Sequence, residues 1–226
     1  MSNEEFRNDW AAQFGSSSPK IICVGLNYAD HTNESGFEPP KAPLLFGKFV
    51  NTLCGEGDAI VLPSEVGHVD AEAELAVVIG AVARGIAADQ VPGVIFGYTC
   101  ANDVSARDVQ FGDGQWFRGK GFDTFCPVWP LDDPVRLDPS ELRVIQRLNG
   151  NVMQDGNTRD LIFDVPFLVA FASNVFTLEP GDLILTGTPA GVGYAREPKV
   201  SLQDGDRVEV EIEGIGVLAN PVVAER

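Results

Sequence analysis

Histidine is scarce in this chain, at two in 226 residues, and its four cysteines never fall into a C-x-x-C pair. That scarcity excludes the Cys/His-rich clusters of structural zinc sites. Cys23, Cys54, Cys100 and Cys126 each sit in an apolar or turn context, which predicts buried free thiols in a reducing compartment. Positive charge is short as well: 16 Lys and Arg stand against 33 Asp and Glu, for a formal net charge of −17. A chain this acidic repels nucleic acid and anionic membrane, so neither is expected as a partner. Small anionic substrates stay open, because a local cation can dominate the field of a site. Long apolar runs are missing too. The longest, Leu75 to Ala83, is interrupted by Gly80 and is too short to span a bilayer. Met1 to Gly15 is polar and acidic without the apolar segment of a secretory signal, so the expected location is the cytoplasm. There is no internal repeat and no low-complexity tract.

What is present is a stretch of unusual charge, Asp70-Ala-Glu72-Ala-Glu74-Leu-Ala-Val-Val-Ile-Gly80. Its tail is apolar and β-branched, the signature of a strand entering a core. A strand points alternate side chains to opposite faces, so Asp70, Glu72 and Glu74 project together. Three like charges on one face repel, and burial adds a desolvation cost. Either this is a solvated strand end, or a hard cation sits there and cancels the repulsion.

Three further segments carry candidate chemistry. His31 and Glu34 follow the apolar run Lys20–Gly25 and lie three apart, so on a helical turn they share a face. A carboxylate that fixes a histidine is a general-base arrangement; the alternative is an exposed histidine in a polar loop. After the strand Gly97–Asp103, residues Val104–Phe111 read as a helix opened by the Asn102-Asp103-Val-Ser105 cluster. Asp103 is there either an N-cap or a third hard-oxygen ligand, and Arg107 and Gln110 share a helical face able to engage a carboxylate. The segment Gly112–Gly121 is glycine-rich and holds Trp116, Arg118 and Lys120, which suits a loop closing over a ligand or a solvated surface loop. Near the C-terminal end, Thr186-Gly-Thr188-Pro-Ala-Gly191-Val-Gly193 offers backbone amides and hydroxyls that suit a carboxylate, and its glycine spacing is not that of a dinucleotide fingerprint.

The remaining pattern is many short strands and few helices. Glu4–Phe14 is a short amphipathic helix ended by Gly15-Ser-Ser-Ser-Pro19. Asn149-Gly150 marks a type I′ hairpin after the strand Leu142–Leu148, and Asp164-Val-Pro166 opens a helix to about Asn174. Arg207–Leu218 is a closing hairpin through Glu213-Gly214. Regular βαβ alternation is absent, so the fold class is α+β and β-rich. We expect an N-terminal flap over residues 1–18 and a single catalytic domain over 19–226.

Four of these features stand in one order: NYADH with a following Glu, D-x-E-x-E-L, NDVSARDVQ and ILTGTPAGVG. Together they resemble the fumarylacetoacetate hydrolase family, in particular its short acylpyruvase-like and 2-hydroxyhepta-2,4-diene-1,7-dioate isomerase-like bacterial members, from about Ile21 to Val217. The resemblance implies a mixed β-sheet roll or barrel, a homodimer, and a Mg²⁺ site that Mn²⁺ or Ca²⁺ can also fill. By position it assigns the metal ligands to Glu72, Glu74 and Asp103, and catalysis to His31, Glu34 and Lys120. Substrate contacts fall on Arg107, Gln110, Thr188 and Tyr28. Many members carry an aromatic residue where this chain has Ala71, so extra room is expected near the ligands.

The implied reaction is hydrolytic cleavage of an acylpyruvate, a small 2-oxo acid of the fumarylpyruvate or acetylpyruvate type. His31, oriented by Glu34, activates a water against C4, the C3–C4 bond breaks, and pyruvate leaves as an enolate. Lys120 adds positive charge where the enolate develops, and backbone amides with Thr188 hold the carboxylate. Two other readings stand beside it: an isomerase or decarboxylase acting on heptadiene-dioate compounds or oxaloacetate, and a non-catalytic β protein with a structural cation.

Overall fold

The computed structural model describes residues 2–131 and 134–225. Its strands run in the order β1 (Ile21–Gly25), β2 (Leu44–Lys48), β3 (Leu53–Cys54), β4 (Ile60–Leu62), β5 (Val69–Asp70), β6 (Ala73–Ile79) and β7 (Ile95–Asn102). They continue as β8 (Ser105–Ala106), β9 (Cys126–Pro127), β10 (Arg143–Leu148), β11 (Asn151–Asn157), β12 (Leu183–Leu185), β13 (Arg207–Ile212) and β14 (Gly216–Ala224). The α-helices are α1 (Asn3–Phe14), α2 (Ala29–Ser35), α3 (Arg107–Gly112), α4 (Phe117–Lys120) and α5 (Val165–Val175).

Two five-stranded sheets dominate, one ordered β2-β1-β12-β6-β7 and the other β11-β10-β13-β14-β4. Both are mixed: β1 with β12 and β14 with β4 are parallel, and the other neighbours are antiparallel. The sheets share one core, in which Leu75, Val77 and Ile79 of β6 meet Val144, Val210 and Ile212 of the second sheet and Leu168 and Val169 of α5. The other face of β6 presents Ala76 and Val78 to a second cluster with Cys23, Leu183 and the α1 residues Phe6 and Trp10. Burial on both faces explains why β6 is apolar without alternation beyond Glu74. The result is the mixed, β-rich α+β fold that the sequence predicts.

Local rules account for several boundaries. Ser2 and Glu5 form a reciprocal capping box at the start of α1. Asn149 and Gly150 both take positive φ, 52° and 79°, as a type I′ turn between β10 and β11 requires. Asp164 caps α5 by accepting from Phe167 N at 2.9 Å, with Pro166 in the first turn.

Two elements differ from expectation. The helix predicted from Val104 begins at Arg107, because Ser105 and Ala106 pair instead with Asp70 and Val69. Asp103 is therefore no N-cap; its carboxylate is engaged by lysines from elsewhere in the chain. The closing hairpin is also longer than the alternation suggests: β14 continues through Pro221 to Ala224 and pairs with β4 as well as β13.

Candidate active site

A cavity of about 390 Å³ opens at one end of the first sheet, at the ends of β1, β6 and β7. Period-two alternation puts Glu72 and Glu74 on one side, and the antiparallel register sets Ala73 opposite Asn102, so Asp103 falls beside Glu72. The Asp103 amide donates to Glu72 O at 2.9 Å and fixes that approach. All three carboxylates are buried, at 5%, 2% and 1% exposure, and each contributes an oxygen lying within 4.8 Å of the others. This is not a solvated strand end.

Cations from other elements surround the cluster. Lys120 Nζ is 2.7 Å from Glu72 Oε2 and 2.6 Å from Asp103 Oδ2, and donates also to Ser105 Oγ at 2.8 Å. Arg107 bridges two members of the acidic stretch, with Nε on Asp70 Oδ1 and Nη2 on Glu72 Oε1, both at 2.6 Å, and reaches Gln110 Oε1 through Nη1. Lys48, which the sequence reading passed over, lies 2.7 Å from Asp103 Oδ1 and donates to the carbonyls of Val104, Lys120 and Phe125. A lysine closing the apolar run Leu44–Phe49 was the available signal, but a strand-end lysine is ordinarily solvated.

Burial pushes the Glu74 carboxyl well above the usual carboxylate range, and Asp103 and Glu72 add to the effect. Burial acts in the same direction on Glu72, but Lys120 and Arg107 outweigh it and hold its carboxyl low. Burial also works against the Lys120 ammonium, which Asp103 and Glu72 nonetheless keep charged.

His31 and Glu34 lie on α2, directly after β1, and both line the cavity. His31 Nδ1 is 2.9 Å from Glu34 Oε1, so the pair is joined and the histidine is not a free surface group. Glu34 accepts in addition from Gly191 N at 3.0 Å. The expected amide nest is thus largely committed to the protein itself, since Gly187 N donates to Glu74 Oε2 at 2.7 Å. Thr188 lines the cavity, donating to Ala73 O and accepting from Gln154 Nε2, a partner not anticipated from the sequence.

Other expected residues fall elsewhere. Tyr28 is fully buried outside the cavity wall, and its hydroxyl has no hydrogen-bond partner. Arg118 turns outward to Asp113, leaving Arg107 and Lys120 as the cations of the expected basic concentration that line the cavity. Ala71 packs with Ile60, Val104 and Phe125 in a separate core cluster, so it opens no space beside the ligands. The segment Gly112–Gly121 lies against the cavity, with Trp116 set edge-on to Phe46 at 5.4 Å between ring centres.

The residues present fit a divalent cation. Lys48, Arg107 and Lys120 pair with Asp70, Glu72 and Asp103, and Glu74 has no ion-pair partner among the described residues. Asp103 Oδ1 makes no well-aligned hydrogen bond, and an all-carboxylate donor set suits Mg²⁺, Mn²⁺ or Ca²⁺.

Residues 20–223 match the family model described as the fumarylacetoacetate (FAA) hydrolase C-terminal domain. An oxaloacetate tautomerase from Rattus norvegicus mitochondria is 48% identical over 207 residues, covering 90% of this chain and 66% of the relative. The chain thus spans just under two thirds of that protein's length. A 5-carboxymethyl-2-hydroxymuconate delta-isomerase from Mycobacterium smegmatis superposes with a TM-score of 0.83 at 45% identity, over 92% of this chain and 79% of its own. A fumarylpyruvate hydrolase from Pseudomonas aeruginosa, solved with Mn²⁺ and pyruvate, gives 0.82 at 32% identity over 91% and 90%. No helix among the described residues is long and apolar enough to cross a membrane. The tautomerase relatives are named as mitochondrial proteins, and the cytoplasmic location expected from the sequence finds no support in them.

Proposed function

The chain belongs to the fumarylacetoacetate hydrolase family, and from that premise we propose that it is a divalent-metal-dependent enzyme that cleaves the C3–C4 bond of an acylpyruvate with water. The observation that carries the hydrolytic reading is the His31–Glu34 pair, joined at 2.9 Å in the wall of the cavity that holds the three carboxylates. Glu72, Glu74 and Asp103 would hold the ion, with Mg²⁺ as the proposed native metal. When bound, such an ion polarises a carbonyl and offsets negative charge on the substrate.

The chain's own groups do the rest. Glu34 accepts from the Nδ1–H of His31 and leaves Nε2 as the base that takes a proton from water. The water oxygen bonds to C4, the C3–C4 electron pair passes to the pyruvate half, and the imidazolium returns its proton to C3. The products are pyruvate and the acid of the acyl group. Lys120 and Arg107 supply fixed positive charge beside the developing enolate, and Gln110 orients Arg107. Cleavage of acetylpyruvate that requires Mg²⁺ or Mn²⁺ after EDTA treatment is the expected result. His31→Ala should lower it by about 100-fold or more, and a His31→Ala variant with full activity would sink the assignment.

A second reading is favoured by the names of the relatives: tautomerisation or isomerisation of a 2-oxo acid, which moves a proton between the 2-oxygen and a chain carbon without cleaving carbon. Catalysed enol–keto conversion of oxaloacetate without acetylpyruvate cleavage would transfer the function to it. We include a homodimer in the proposal. It predicts a solution mass near twice the 24.3 kDa of the chain, measured by light scattering.

A further inference from the structure

The cavity is chemically divided. Its carboxylate end holds the charged groups described above, whereas the rest of the wall is built from Leu26, Phe46, Phe111, Trp116, Val192 and Tyr194. Helix α3 spans the two regions. Arg107 in its first turn is paired with Glu72, and Phe111, four residues on and about 6 Å along the axis, leans on Tyr194 with ring centres 5.0 Å apart.

Cations lining the cavity, among the described residues, are limited to Arg107 and Lys120, and both are engaged with carboxylates at the metal end. Lys199 lies 3.5 Å from the Tyr194 ring centre, but it is exposed and is not part of the wall. A second carboxylate would lie against aromatic rings, with Glu34 in the same cavity and no cation among the residues lining that wall to meet it.

We infer that the enzyme takes 2-oxo acids with one carboxylate, whose far substituent is neutral and apolar, and that the Phe111–Tyr194 side of the cavity selects against a second carboxylate. The inference rests on the 2-oxo acid reading above and narrows it to acylpyruvates with alkyl or aryl acyl groups.

The test uses two 2-oxo acids of nearly equal shape that undergo no C3–C4 hydrolysis: 2-oxoglutarate, and 5-methyl-2-oxohexanoate, in which an isopropyl group replaces the far carboxylate. Each is titrated into the Mn²⁺-loaded full chain by calorimetry. Tighter binding of the neutral compound by about tenfold or more is expected. The variant Phe111→Lys should shift the preference toward 2-oxoglutarate by about tenfold, with Mn²⁺ affinity unchanged as the control for folding. Equal or tighter binding of 2-oxoglutarate by the natural chain overturns the inference while leaving the 2-oxo acid reading intact. No shift in Phe111→Lys overturns the role given to that wall. Failure of both compounds to bind a chain that still takes up Mn²⁺ removes the 2-oxo acid reading, and the inference with it.

Discussion

Lys48 Nζ lies 2.7 Å from Asp103 Oδ1 and donates to three backbone carbonyls, so one ammonium from β2 ties down the carboxylate that follows β7. Both side chains are fully buried. A buried pair of this kind costs little while intact and a great deal when one partner is removed.

Lys48→Met is therefore expected to destabilise the fold by about 3–5 kcal/mol. It removes the ammonium from Asp103 Oδ1 and from the carbonyls of Val104, Lys120 and Phe125. Urea denaturation monitored by circular dichroism checks this, and a loss below about 1 kcal/mol would refute the role.

Lys120→Met should act in the opposite sense on metal. The Lys120 ammonium contacts Glu72 and Asp103, two of the three ligand candidates, and competes with a divalent ion for their oxygens. Removing it should tighten Mn²⁺ binding, on the order of tenfold, while turnover is lost. Weaker Mn²⁺ binding in this variant would place Lys120 in support of the ion.

Gly25→Ala tests the docking of the segment that carries Trp116. A methyl group there would overlap the Trp116 ring, and the loop must move to admit it. Faster tryptic cleavage at exposed Arg118, with little change in melting temperature, is the expected outcome.

All four cysteines are buried, and burial raises every thiol, with Cys100 and Cys126 pushed up to about 12. A raised thiol pKa leaves almost no thiolate at pH 8, so the folded protein should resist a disulfide reagent at that pH. Four thiols should react once denaturant is added. Rapid labelling of any one in the native state would contradict the packing around it.

What the sequence alone determined follows from short-range geometry. Alternation in a strand places Glu72 and Glu74 on one side whatever lies around them, and a three-residue spacing on a helical turn joins His31 to Glu34. Positive φ at Asn149-Gly150 and the Asp164 cap before Pro166 are likewise properties of neighbouring residues. The tertiary structure decided the pairings between distant segments. Strand register brings Asp103 to Glu72, and Lys48 arrives from β2. Gly187 and Gly191 spend amides on Glu74 and Glu34, while Tyr28 and Ala71 are not among the residues that line the cavity. No local rule reaches these, because buried charges choose partners by proximity in the folded chain, and each must find one wherever the packing supplies it.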